Sequence, residues 1–197
     1  MRLLPILGAL FFLSGAAALI YQVCWQRILF VGMGSDAVSI AIIVSVFMLG
    51  LGLGGLLGGW GADRYRRALL VFVVIELLIC GYGLGSAWIL ESVASRTALH
   101  GEWAVMWLAL VVLVIPTTLM GMTLPILVIQ LDRVVHNVGR ATGFLYCVNT
   151  LGAALGALLT GLYLFESLDL VQATWLAAGL NFLVACGGVF LLKRWQA

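Results

Sequence analysis

Long uninterrupted apolar stretches constrain this chain more than any other feature of its sequence. About 20 apolar residues are needed for a helix to cross the hydrocarbon core of a bilayer. Six stretches reach that length, and they cover approximately residues 4–31, 36–61, 68–92, 103–130, 140–165 and 170–192. Because lipid offers no partners to backbone N–H and C=O groups, and because the stretches are too long for barrel strands, we predict helices. The short connections predict one domain, residues 1–197, with no separate soluble lobe.

Composition excludes several other classes of protein. Only 9% of the residues are charged and 64% are hydrophobic, whereas a soluble domain has about 25% charged residues to keep its surface wet. This composition excludes a soluble monomer and also excludes disorder, which requires low hydrophobicity. A net charge of +2 gives no reason to expect nucleic acid. The sequence contains no Ser/His/Asp set, P-loop or zinc spacing, so we predict no enzyme activity, catalytic residue, cofactor or metal.

Basic residues predict the orientation of the chain in the membrane. Eight of the ten lysines and arginines fall on the side that carries both termini, and they are Arg2, Arg64, Arg66, Arg67, Arg133, Arg140, Lys193 and Arg194. Arg27 and Arg96 fall on the other side. Short loops rich in Lys and Arg stay in the cytoplasm. We therefore predict a multi-pass protein of the cell (inner) membrane, in contact with its lipids, with both termini cytoplasmic.

Glycine recurs every four residues in the second and fifth spans. Gly50, Gly54 and Gly58 share one spacing, and Gly152 and Gly156 repeat it. Small residues at this spacing let helices approach closely in lipid, so these five are predicted packing positions. Each glycine-rich span is the middle one of three, which indicates a 3+3 inverted repeat. Close packing alone is the other interpretation of the spacing.

Residues 59–67 (GWGADRYRR) resemble the loop between spans two and three of major facilitator transporters, with Gly61 and Arg66 replacing the usual leucine and glycine. The matching positions include Asp63, Arg64 and Arg67, and the resemblance implies a charged cytoplasmic loop that links neighbouring helices. Four further segments are similar to the membrane domain of spermidine-synthase-like fused membrane proteins. They are residues 11–26 (FFLSGAAALIYQVCWQ), 47–64, 116–127 (PTTLMGMTLPIL) and 145–156 (LYCVNTLGAALG).

This resemblance implies an all-α, half-major-facilitator-like bundle. Such proteins usually also carry a soluble aminopropyltransferase-like domain, whose glycine-rich cofactor loop and acidic cluster do not occur in the 197 residues. The family's chemistry is therefore assigned to no residue here. What the resemblance leaves open is a separate aminopropyltransferase-like partner.

Four polar residues are predicted at similar depth inside the membrane. Helix rise places Glu76 about 12 Å from the cytoplasmic edge, and Asn149, Thr123 and Asn181 at about 10–17 Å. Intramembrane ionisable groups are costly and often functional. A hydrogen-bonded carboxyl group that holds helices together is one interpretation, and a site that exchanges protons or holds a cationic ligand is the other.

An outward-facing vestibule is predicted near the opposite surface. Arg27 lies about 34 Å from the start of the first span, with Tyr21 and Gln22 one to two turns below it and Tyr82 at their level. Acidic residues that could pair with this arginine are Glu91, Asp36, Glu102 and Glu166. An interfacial ion pair that fixes helix ends is the alternative to a vestibule.

Two prolines, Pro116 and Pro125, lie within the fourth span. Proline removes a backbone donor and disturbs a helix, so a bent or locally broken span is expected.

Three hypotheses for function follow. The first is a non-catalytic integral membrane subunit that packs against itself, as a homo-oligomer, or against another membrane protein in a larger complex. The second is a small homodimeric transporter of a cation or polyamine-like solute. The third, which depends on the family resemblance, is a membrane anchor for a separate aminopropyltransferase-like enzyme.

Overall fold

The computed structural model describes residues 3–33, 36–62, 64, 67–97 and 102–196. Its long helices are α1 (Leu3–Met33), α2 (Asp36–Ala62), α3 (Ala68–Thr97), α4 (Glu102–Val135), α5 (Val138–Leu159) and α6 (Leu170–Gln196). No strand occurs within the described ranges. Six helical stretches are long and apolar enough to cross a membrane. The prediction of an all-α protein with six transmembrane helices is therefore confirmed, while the 3+3 repeat, the choice of membrane and the cytoplasmic position of both termini stay predictions.

The helix α5 ends in a feature that the sequence did not predict. A π-helical turn, Thr160–Leu164, follows α5 directly, and one further α-helical turn, Phe165–Ser167, completes the span. The hydroxyl of the buried Thr160 donates to the carbonyl of Gly156, four residues earlier. Single π-helical turns often occur at functional sites, and this one adjoins the pocket around Arg27 described below.

Helix pairing divides the bundle into a centre and two sides. The helix α2 packs mainly on α4, α5 packs mainly on α1, and α3 packs mainly on α6. The helices α1 and α4 are central, because α3 also packs against both of them and α6 packs against α1. As a result α2 and α5 flank the centre on the side away from α3 and α6. Only 17% of the apolar stretch of α5 is buried, against 56% for α1.

The α2–α4 pair is held by contact between backbones. Gly50 lies against Thr117, Gly54 against Gly121 and the neighbouring Thr118 carbonyl, and Gly58 against the α4 backbone one turn later. A Cβ atom at any of these three glycines would collide with α4. Small residues on both helices thus allow an approach that larger side chains would prevent.

The α1–α5 pair is also held by contact between backbones at glycine positions. Gly152 and Gly156 lie against the backbone carbonyls of Phe12 and Ala16. From the other side, Gly15 of α1 lies against the backbone of α5. The five glycines predicted as packing positions therefore all face inward, each against a central helix.

The fourth helix is continuous through both prolines, so the span is not locally broken, and the bend that was the other expectation stays a prediction. Pro116 has no N–H to offer the carbonyl of Val112, four residues earlier. The hydroxyl of Tyr82 on α3 donates to that carbonyl at 3.0 Å. A side chain from a neighbouring helix thus satisfies the group that the proline leaves free, as is common in transmembrane helices.

Candidate functional site

A buried polar cluster joins α1, α3 and α6. The Ser14 hydroxyl donates to Glu76 Oε1 at 2.7 Å, and the Asn181 amide Nδ2 donates to Glu76 Oε2 at 2.6 Å. Glu76 is 0% exposed and Asn181 2%. Both carboxyl oxygens of Glu76 therefore accept a hydrogen bond in a place that water does not reach.

Two polar atoms in this part of the core have no hydrogen-bond partner within the described chain. They are Asn181 Oδ1 and the Tyr21 hydroxyl. The described residues also contain no basic side chain in an ion pair with Glu76. Because buried polar groups are nearly always hydrogen-bonded in native proteins, an unpaired amide oxygen beside a buried carboxyl group calls for an explanation.

The predicted polar layer forms only in part. Glu76 and Asn181 meet, but Asn149 lies against Gly15, on the α5 side of α1. The Thr123 hydroxyl donates to the carbonyl of Met120 in its own helix. Depth alone could not separate these positions, because it does not say which side of a helix faces which neighbour.

Ser14 was missed by the sequence analysis. It lies 62 positions before Glu76, and Trp25 lies 61 positions before Ser86, to which its indole nitrogen donates at 2.9 Å. This near-constant offset shows that α1 and α3 run parallel and in register. A search for polar residues at equal depth in the first and third spans would have found Ser14.

Aromatic rings fill the core next to the polar cluster, toward the C-terminal end of α1. Tyr21 stacks on Trp25 with ring centroids 5.0 Å apart, and Tyr82 meets Trp25 edge-on at 5.8 Å. Tyr21 is 0% exposed, and its hydroxyl lies against Gly83, where no side chain competes for the space. Tyr21 and Tyr82 thus belong to a packed aromatic core.

The four predicted vestibule residues therefore do not line one open cavity. Arg27 is exposed, with its guanidinium carbon 5.9 Å from the centroid of the Phe165 ring. It lines a surface pocket of about 480 Å³ together with Glu91 and Asp169. Gln22 is half-buried and is absent from that lining. The prediction failed because Tyr21 and Tyr82 pack against α1 and α3 neighbours, whereas Arg27 points out of the bundle.

The predicted ion-pair partners of Arg27 have different outcomes. Asp169, which was not among the predicted partners, lines the same pocket, and its carboxylate accepts from the backbone N–H of Gln172 and caps α6. Glu91 shares the pocket, and Glu166 is exposed on the last turn of the fifth span. The side chains of Asp36 and Glu102 lie outside the described part of the structure.

The loop after α2 is described only in part. Asp63 lies outside the described residues. The guanidinium carbon of Arg64 is 4.4 Å from the ring centroid of Trp60, a cation–π contact. The backbone carbonyl of Arg67 accepts from the N–H groups of Leu70 and Val71 at the start of α3.

A second glycine surface of α2 has no partner among the described residues. A Cβ atom at Gly52, Gly55 or Gly59 would meet no atom of the described structure within 4 Å. We call these three residues the open α2 face. Beside it lies a groove of about 340 Å³ with walls from α2 and α5 and a floor from α4. The groove is lined by Gly55, Leu124, Pro125, Val128, Ile129 and Thr142.

Two tyrosine substitutions are expected to change stability in opposite directions. Tyr21→Phe removes a buried hydroxyl that has no partner, so we expect the free energy of unfolding to rise by about 1 kcal/mol. Tyr82→Phe removes the hydrogen bond to Val112, so we expect a fall of about 1 kcal/mol. Reversible denaturant unfolding in detergent micelles measures both. A loss of stability in Tyr21→Phe would mean that its hydroxyl has a partner.

Comparisons of the chain with protein-family models, with characterised proteins and with solved structures give no match. The similarity to the membrane domain of spermidine-synthase-like proteins therefore rests on the sequence segments alone and stays a prediction.

Proposed function

We propose that this integral membrane protein is a non-catalytic subunit that packs against a membrane protein, another copy or a different chain, through the open α2 face and the exposed side of α5. The observation that carries the proposal is the set of three glycines, Gly52, Gly55 and Gly59, against which no described residue packs. Lipid tails are as apolar as leucine, so helices associate in membranes where small residues permit close packing.

The packed side of α2 supports this reading of its open side. Gly54 and Gly58 are four residues apart and hold α2 against α4 by backbone contact. Gly55 and Gly59 repeat that spacing, one residue further along the chain and about 100° around the helix. The same spacing that packs α2 inside the bundle is thus also available on its outer surface.

A half-facilitator architecture would place the same surface at an interface. If α1–α3 form one three-helix unit and α4–α6 the other, then α1 corresponds to α4, α2 to α5 and α3 to α6. Under this correspondence the α2–α4 contact matches the α5–α1 contact, and the α3–α6 contact matches itself. This correspondence is the pattern expected of a 3+3 inverted repeat. In such an architecture a second six-helix unit would cover α2 and α5, the two least buried helices.

Replacing a glycine of the open α2 face should disrupt assembly without unfolding the subunit. Gly55→Leu has room for its side chain within the monomer but fills the surface that a partner would use. We expect at least a tenfold loss of the associated species, which corresponds to about 1.4 kcal/mol of association free energy. Native mass spectrometry of gently purified membranes would measure it, and two differently tagged copies would separate self-association from a foreign partner.

Gly81→Leu is the matched control. Gly81 is an exposed glycine of α3, on the other side of the bundle, and a Cβ atom there also meets nothing within 4 Å. The control should keep the associated species at its wild-type level. If Gly55→Leu assembles as well as Gly81→Leu does, or if the gently isolated wild-type protein is a monomer, the proposed subunit function is wrong.

A further inference from the structure

We infer that Ser14, Glu76 and Asn181 form a binding site for one monovalent cation, a proton or an alkali-metal ion, which neutralises the Glu76 carboxylate. The inference does not rest on the proposed subunit function, because the three residues lie in the α1–α3–α6 core, whereas the open face belongs to α2.

The Glu76 carboxyl group has no positively charged partner among the described residues. Transfer of an unpaired carboxylate out of water is strongly unfavourable even after the protein has relaxed. Two neutral donors, the Ser14 hydroxyl and the Asn181 amide, supply hydrogen bonds but no positive charge. Among the described residues, Tyr21 and Cys80 are ionisable groups near Glu76, and neither a phenol nor a thiol supplies a positive charge.

The side-chain oxygen of Asn181 has no hydrogen-bond donor among the described residues. Asn181 Oδ1 is bonded to the same carbon as Nδ2, which lies 2.6 Å from Glu76 Oε2. This oxygen is therefore next to the carboxyl group, yet it accepts no hydrogen bond from the described chain, and its residue is 2% exposed. An alkali-metal ion held by Asn181 Oδ1 and Glu76 would satisfy this acceptor and neutralise the carboxylate, whereas a proton on Glu76 would only neutralise the carboxylate.

Both kinds of cation fit the oxygens at the site. The Ser14 hydroxyl is a donor and an acceptor, so a proton on Glu76 Oε1 can be donated to Ser14 across the same 2.7 Å separation. An alkali-metal ion is bound by oxygen ligands, as other hard cations are. Glu76 and Asn181 Oδ1 supply such ligands, with the Ser14 hydroxyl beside them. The proton and the alkali-metal ion therefore have the same effect, which is to bring one positive charge to the Glu76 oxygens.

Infrared spectroscopy of the protein in lipid nanodiscs tests the site directly. All glutamates are labelled with carbon-13 at the side-chain carboxyl, and the Glu76→Gln spectrum is subtracted from the wild-type spectrum to isolate the Glu76 band. Glu91→Gln, which removes an exposed glutamate, is the matched control. Spectra are recorded in choline, sodium and potassium buffers over a series of pH values.

Two results support the inference and distinguish the two cations. A carbonyl band of a protonated carboxyl group, present near neutral pH in all three buffers, identifies the proton. A carboxylate band that shifts on addition of sodium or potassium, relative to choline, identifies the alkali-metal ion. In both cases the band should be lost completely in Glu76→Gln and kept in Glu91→Gln.

The inference fails if Glu76 gives a carboxylate band near neutral pH that is the same in sodium and potassium buffers as in choline buffer. Ser14→Ala gives a second readout should Glu76→Gln not fold. That variant keeps the carboxyl group and removes one of its two partners, so the Glu76 band should move. A band unchanged in Ser14→Ala would also overturn the site. Assembly of the Gly55→Leu variant has no bearing on either outcome.

Discussion

Gly54→Leu is expected to lower the free energy of unfolding by at least about 3 kcal/mol, the upper end of the usual cost of overpacking. The new side chain would start inside the backbone of α4, at the Thr118 carbonyl and the Cα atom of Gly121. Side chains can change rotamer to make room, but a helix backbone cannot, so the two helices must separate along part of their length. Denaturant unfolding in micelles, followed by circular dichroism, measures the change.

Gly55→Leu is the neighbouring control for this prediction. Its side chain enters open space at the groove, so its unfolding free energy should stay within about 0.5 kcal/mol of the wild type, as for most surface changes. The two substitutions differ by one position and introduce the same side chain. Equal losses of stability in both variants would contradict the assignment of Gly54 to the α2–α4 contact.

Glu76→Ala is expected to lower the free energy of unfolding by about 3 kcal/mol, through lost hydrogen bonds and a cavity at the α1–α3–α6 junction. The Asn181 amide, already unpaired at Oδ1, would also lose the acceptor of its Nδ2 group. The Ser14 hydroxyl would lose its partner on α3. The same unfolding measurement applies.

Glu76→Gln should remain within about 1 kcal/mol of the wild type, since both hydrogen bonds can be kept. A glutamine oxygen accepts from Asn181, and its amide nitrogen donates to the Ser14 hydroxyl across the separations already present. Equal stability of the alanine and glutamine variants would show that these hydrogen bonds contribute nothing to the fold.

The sequence predicted the helix pairings only as far as spacing allows. A four-residue glycine period identifies a helix surface that can approach another backbone, but it does not name the partner. Gly50, Gly54 and Gly58 and the open α2 face lie on one helix with similar spacing, and only the structure separates the packed set from the unpacked one.

The sequence was sufficient to predict a buried polar site around Glu76, but it identified only some of the residues that form the site. An ionisable residue in the middle of an apolar span is conspicuous, so Glu76 could be found directly. Asn149 was placed with it because helix rise gives depth. The structure directs Asn149 to the α1–α5 contact instead, and it brings in Ser14, which looks unremarkable in the sequence.

What the sequence alone determined is the number of helices and their membrane character. Length and hydropathy suffice for that, because a bilayer requires every backbone polar group to be bonded within the span. What only the tertiary structure decided is which side of each helix meets which neighbour. That depends on rotations about helix axes, and these are fixed by contacts between residues far apart in the chain, such as Ser14 with Glu76 and Glu76 with Asn181.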